Sequence, residues 1–364
     1  MLTWAMNRGG VGLPDFKTLP VERWMTGERQ PTVKQLQDFA RKVHVPYGFL
    51  FLPEPPQEEQ PIPFFRSIGA EREGISINVR DTIQQMQQRQ DWLSSYLRRE
   101  NYDSLPFVGA FNQHHGKDAI IASIQKSLGL TENWANECPN WEEALKFLTQ
   151  KIEDRRIIVV FNGVVGNNTH RPLDVHECRG FVLVNEMAPL LFVNNKDAKS
   201  AQLFTIVHEL AHIWLGESAG FDFRGMLPAD DPVEKLCDSI AAEFLVSEVS
   251  LREAWEQTHS IKTLSRKFKV SPIVIGRRLM DIGLYSRDQF FTFYNNYMRD
   301  FEDRNNTPES GGGNFYATAR MRISPTFARY INQAVKTGNL LYRDAYRLTG
   351  LKSKTFERFM QDYL

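Results

Sequence analysis

The chain has 364 residues, with 44 Lys and Arg balancing 44 Asp and Glu and an ordinary 42% of hydrophobic residues. That length accommodates two or three domains with a sizeable core, and the zero net charge gives no global electrostatic case for binding nucleic acid or a membrane surface. No apolar run approaches the roughly 20 residues of a membrane span, and Cys138, Cys178 and Cys237 show no CxxC spacing, which fits a reducing cytoplasm better than a disulfide framework.

In chain order, the opening MLTWAMNRGG lacks a cationic stretch followed by a long apolar one, so no secretory signal is expected and the cytoplasm is the expected location. Residues 1–56 read as short helices. VERWMTGERQPTVKQLQDFARKV predicts a short helix before Gly27, a turn, and a helix starting near Thr32 that buries Val33, Leu36, Phe39 and Ala40 or Val43. Residues 1–45 carry seven basic side chains against four acidic ones, a modest local excess. Residues 57–75 form a polar, proline-rich connector. Three helices follow, in INVRDTIQQMQQRQDWLSSYLRRE, GKDAIIASIQKSLGL and NWEEALKFLTQKIED. The grain then changes. RRIIVVFNGVV and RGFVLVNEMAPLLFVNN are β-branched and aromatic runs that read as strands, and the loop GNNTHRPLDVHEC between them is a candidate substrate-facing rim. Helices, then strands, then further helices describe an α+β domain.

The stretch FTIVHELAHIWLG, residues 204–216, carries the chemistry. Positions four apart on an α-helix share a face about 6 Å apart along the axis. His208 and His212 can therefore converge on one zinc ion, each nitrogen at about 2.0–2.1 Å. Glu209, turned by about 100°, would reach a water rather than the metal, as a general base must. A satisfied pair of core histidines is the competing reading. A third ligand is available in DPVEKLCDSIAAEFLVS, where Asp231 can cap a helix with Pro232 at its first position. One turn apart on that helix, Glu234 can complete His-His-Glu and Asp238 can fix the tautomer of one histidine. Glu243, nine residues past Glu234, is the rival third ligand, and about 13 Å of helix separates the two. Cys237 beside them reads as a packing residue.

Further on, SIKTLSRKFKVSPIVIGRRLMDIGLYS has a helix-turn-helix pattern, and residues 302–314 are a polar, glycine-rich linker. From Phe315 onward nine Lys or Arg face three Asp or Glu, either as a solvated helix face or as a surface for a partner or nucleic acid.

Together FTIVHELAHIWLG, EKLCDSIAAEFLVS and LSRKFKVSPIVIGRRLMDIGLYS resemble the three signature segments of the ImmA/IrrE metallopeptidases, and ECRGFVLVNEMAPLLFVNN looks like the strand pair ahead of their zinc helix. The N-terminal VERWMTGERQPTVKQLQDFARKVHVPYGFLFLPEPPQEEQPIPFFRS is similar to the XRE-type helix-turn-helix often fused to them. The resemblance covers most of residues 1–290. It implies a thermolysin-like zincin core with a small β-sheet, His208, His212 and Glu234 on zinc, and Glu209 as catalytic base. That core would occupy residues 76–290, between a degenerate helix-turn-helix module at 1–56 and a basic helical extension at 315–364. The implied activity is site-specific cleavage of a repressor-like protein. The alternatives are an antitoxin that binds a neighbouring toxin without cutting it, and a DNA-binding regulator with a vestigial peptidase core. The N-terminal module has little room for a recognition helix, and Lys17, Arg23 and Arg29 are its few candidate DNA contacts. The strand around Arg179, Gly180 and Phe181 could take an extended substrate by strand addition. His176, His259, Arg277 and Tyr285 are available as oxyanion partners.

Overall fold

The computed structural model describes residues 1–56, 64–65, 75–221, 231–304 and 315–362. It is mixed α+β, and the chain divides into a smaller unit (residues 1–61 and 71–84) and a larger one (62–70 and 85–364). The connector expected at 57–75 lies outside the described residues apart from Phe64, Phe65 and Ile75, as does the linker expected at 302–314 apart from its first three residues.

In the smaller unit, α1 (Leu2–Gly9), α2 (Val21–Met25) and α3 (Val33–Lys42) enclose a core of Ala5, Met6, Phe16, Val21, Trp24, Phe39, Val43 and Val45. Helix α3 starts where the sequence places it. Thr32 and Gln35 form a reciprocal capping box that satisfies two otherwise orphaned N–H groups. Val33, expected inside, is 65% exposed, because the first turn of α3 projects beyond the core that Phe39 and Val43 reach. Lys17, Arg23 and Arg29 are exposed, but only Arg23 stands on a helix, and α2 has five residues.

The larger unit is built on a five-stranded sheet. Its elements, in chain order, are β1 (Phe64–Phe65), α4 (Ile77–Arg99, entering from the smaller unit), α5 (Lys117–Leu128), α6 (Trp141–Glu153), β2 (Ile158–Phe161), β3 (Val164–Val165), β4 (Asn168–Pro172), β5 (Gly180–Leu183), β6 (Leu190–Val193), α7 (Lys199–Leu215) and β7 (Ala219–Phe221). There follow α8 (Pro232–Leu245), α9 (Glu248–Gln257), α10 (Ile261–Phe268), α11 (Pro272–Asp281), α12 (Arg287–Arg304), α13 (Phe315–Ile323), α14 (Pro325–Lys336), α15 (Tyr342–Thr349) and α16 (Ser353–Asp362). The strand order is β1-β7-β5-β6-β2, antiparallel at β5/β6 and β5/β7 and parallel at the two flanks. Strands β2, β5 and β6 are buried on both faces, hence their unbroken apolar sequences. One face sends Val159, Phe161, Val182, Leu191 and Val193 into a core shared with α6, α7 and α8, and Phe181 and Phe192 stack at 4.7 Å on the other.

Three findings differ from the sequence reading. The polar loop expected after Val165 contains β4, which pairs with β3 through a two-residue Gly166-Asn167 turn, Gly166 taking a positive φ of 56°. Residues 287–304 form α12, where periodicity alone assigns no element. The C-terminal residues are packed into the larger unit, with α13 against β2 and Phe327 of α14 edge-on to Trp92 at 5.7 Å. Among the described residues, no helix is long and apolar enough to cross a membrane.

Candidate metal centre

Helix α7 is apolar on nearly every side and is accordingly a core helix, buried from Gln202 to Leu215 apart from Phe204. No side chain caps its start, but Gln202 anchors that end by donating to the Asn195 and Asp197 carbonyls at 3.2 and 2.6 Å. It stops at Gly216, whose φ of 78° suits glycine and whose backbone abuts Gly109 so closely that a Cβ would lie 3.0 Å from the Gly109 Cα. Helix α8 packs along α7 and starts at Asp231, whose carboxylate accepts from the Val233 and Glu234 N–H groups. Pro232 follows at the first helical position, where its missing N–H costs nothing.

This pairing brings His208, His212 and Glu234 together, their ligating atoms within 4.8 Å of one another and all three residues buried. The two Nε2 atoms are 3.3 Å apart, and they lie 3.1 Å (His208 to Oε2) and 3.0 Å (His212 to Oε1) from the Glu234 carboxylate. The His212 Nε2 approach is off the hydrogen-bonding direction and leaves Glu234 Oε1 without a hydrogen-bond partner; the other ring nitrogen of His212, Nδ1, also lacks one. Two atoms each about 2.05 Å from a tetrahedral zinc lie about 3.3 Å apart, so the spacing and the borderline nitrogen-nitrogen-oxygen donor set both fit that ion. On its far side, His208 donates from Nδ1 to Asp238 Oδ1 at 3.0 Å, which points its Nε2 inward.

The electrostatics divide the buried groups. Burial alone would lower the His208 pKa, but hydrogen bonds to Asp238 and Glu234 outweigh it and lift the value to about 10. Burial lowers that of His212. Glu234 is pushed up by burial but more strongly down by the two imidazoles, to about 2. Burial takes Glu209 the other way, well above the usual carboxylate range, with His208 opposing and the Glu234 charge adding. Both Glu209 oxygens are buried with no hydrogen-bond partner.

The segment that holds these residues has relatives. Residues 154–280 match the Peptidase M78 family, the IrrE N-terminal-like domain. The match begins just after α6, takes in the four-residue strands β2, β5 and β6 with α7 and α8, and ends near the end of α11, so all three convergent ligand candidates and Glu209 lie inside it. The IrrE-like segment thus supports the ImmA/IrrE resemblance over this part of the chain, and with it a metallopeptidase or regulatory role. Residues 323–362, from the end of α13 through α16, match a domain of unknown function. No curated protein matches the chain.

The remaining sequence candidates fall elsewhere. Glu243 accepts from the Glu248 N–H and pairs with Lys117 at 3.0 Å and with Arg278, so it ties four helices together. His259 and Tyr285 pack on Trp255, and Arg277 pairs with Asp281 along α11. His176 is exposed, its N–H donating to Asp174 at 2.8 Å. Substrate addition to the strand at Arg179, Gly180 and Phe181 is corrected by the topology. Strand β5 is bonded to β6 on one side and β7 on the other, so it has no free edge. Arg179 is held by Asp197 at 3.3 Å. Gly180 matters for another reason. A Cβ there would sit 2.5 Å from Thr205 Cγ2, 2.8 Å from the Phe192 carbonyl and 3.3 Å from Glu209 Oε1. Glycine in the strand makes room for α7 and its carboxylate. The sequence signal was a lone glycine opening an apolar strand run.

Proposed function

We propose that this chain is a zinc-dependent, site-specific endopeptidase acting on a regulatory protein, a repressor-like substrate or a toxin partner. The observation that carries this reading is Glu209, a fully buried carboxylate without a hydrogen-bond partner, one residue from a proposed ligand. A metal site that only holds a fold has no use for such a group, whose burial is a standing cost.

His208, His212 and Glu234 would hold the ion, with Asp238 orienting His208 from behind. Zinc held there supplies Lewis acidity, making a water easier to deprotonate and a peptide carbonyl easier to attack. Glu209 takes the proton of the attacking water and delivers it to the departing amine. The zincin-like arrangement is supported by the sheet lying against α7 and by the second helix delivering Glu234.

The test is cleavage of proteins encoded beside this chain by zinc-loaded wild type and Glu209→Gln. Cutting by the wild type alone is the expected result. Binding by both without cutting would overturn the peptidase reading and favour an antitoxin that uses the metal for stability.

A further inference from the structure

A second concavity lies away from the metal centre, between the C-terminal segment and the sheet. Helix α6 presents Leu145 and Glu153 to it from one stripe, strand β2 supplies Val159 and Phe161, and α13 closes it with Met321. Its volume is about 400 Å³, within the usual range for small-molecule sites. It is absent from the IrrE-like segment taken alone, because α6 and α13 both fall outside residues 154–280.

The walls are apolar and the mouth is cationic. Lys146, Lys199 and Arg320 stand around the opening against one exposed carboxylate, Glu142. Lys146 leans toward Glu143 at 3.7 Å, whereas Lys199 and Arg320 make no ion pair among the described residues. Glu153 at the floor accepts a hydrogen bond from Ser324 Oγ at 2.5 Å, and burial raises its pKa to about 7, so its negative charge is only partial at neutral pH and is gone in mildly acidic buffer. Uncompensated cations over an apolar pocket are the complement of one kind of molecule, with an apolar body and a single acidic group.

We propose that this cavity is a second binding site, for a small amphipathic anion whose apolar part lies against Leu145, Val159, Phe161 and Met321 and whose acidic group meets Lys199 and Arg320. Such a ligand bridges the C-terminal segment to the start of α7, the helix that carries His208, Glu209 and His212.

Sodium decanoate is the probe and decan-1-ol its uncharged counterpart, each titrated calorimetrically into the full-length, zinc-loaded protein. Decanoate should bind one to one and about tenfold more tightly than the alcohol, the share expected of a charge-assisted contact. Lys199→Glu with Arg320→Glu, both at solvent-reached positions, should erase that difference while leaving the alcohol unchanged. Thr149→Trp, which fills the cavity from α6, should abolish binding of both. Circular dichroism melts check that each variant is folded, and a fall in hydrogen exchange across residues 318–326 on adding decanoate locates the site. The proposal is overturned if the wild type does not bind decanoate, if acid and alcohol bind equally, or if the charge reversal leaves decanoate affinity intact. None of these outcomes bears on the metal centre.

Discussion

Replacing Glu153 by Gln should remove a pH dependence from the attachment of the C-terminal helices. Glu153 is 3% exposed at the end of α6, where its carboxylate accepts from Ser324 Oγ and its carbonyl from Thr326 Oγ1, the residues that lead into α14. Burial raises its pKa from 4.5 to about 7, the Ser324 hydrogen bond opposing. A carboxyl with a raised folded-state pKa keeps its proton in the fold after the unfolded chain has lost it. Stability from this group is therefore fully present below about pH 4.5, falls as pH rises towards 7, and levels off above it. At about 1.4 kcal/mol per pH unit the total is about 3 kcal/mol. Gln mimics the neutral acid and does not titrate. Hydrogen exchange over residues 325–336, comparing wild type and Glu153→Gln at the same pH, measures the difference without interference from intrinsic exchange rates. At pH 5 the two should be similarly protected, and by pH 8 the wild type should open roughly a hundredfold more often. A ratio that stays constant from pH 5 to 8.5 would refute the argument, because it would mean that the fold does not raise the pKa of Glu153 above that of the opened chain.

Three further outcomes are expected. Glu209→Gln should retain zinc, measured by atomic absorption, and lose about 10²–10⁴-fold in cleavage rate, the usual share of a general base. Asp238→Ala should weaken zinc affinity about 10–100-fold in a competition titration, since His208 loses the group that orients it. Gly180→Ala should lower stability by about 1–3 kcal/mol in urea denaturation, because the new methyl meets the Phe192 carbonyl and Thr205. It should also slow cleavage, because the same methyl crowds Glu209. A variant as stable and active as the wild type would show that β5 can move away from α7.

Much of the centre could be read from sequence because its determinants are local. The spacing of His208 and His212, the Asp231-Pro232 start and the one-turn offset of Glu234 and Asp238 each need only one helix to have meaning. The runs that became β2, β5 and β6 were equally plain, since strands buried on both faces are apolar throughout. Their order was not. That β5 sits between β6 and β7 depends on β7, three residues reading Ala-Gly-Phe, which carry no alternation and no β-branched side chain. The same limit hid the role of Gly180, which depends on Thr205 and Phe192 arriving from two other elements. It also hid Glu153. In sequence it is one of several acids on a polar-faced helix, and only the arrival of Ser324 and α13 seals it from water.

The roles of the acids follow from their neighbours more firmly than from the motif. Glu209, Glu234 and Glu243 are the three glutamates that sequence spacing offers to one centre, and each meets a different environment. Glu243 faces Lys117 and Arg278, and these cations and the Glu248 N–H lower its pKa against burial, so its charge is already neutralised by α5 and α11. Glu234 faces two imidazole nitrogens and nothing else of opposite character, and they hold its pKa down at about 2 against burial, so it is ionised beside them. Glu209 makes no hydrogen bond to either imidazole, and burial, opposed only by the more distant charge of His208, raises its pKa furthest of the three. A ligand must hold a negative charge and a base must take up a proton. The two demands are met by carboxylates on different helices around one pair of histidines, and exchanging their roles would require moving Glu234 out of reach of both Nε2 atoms.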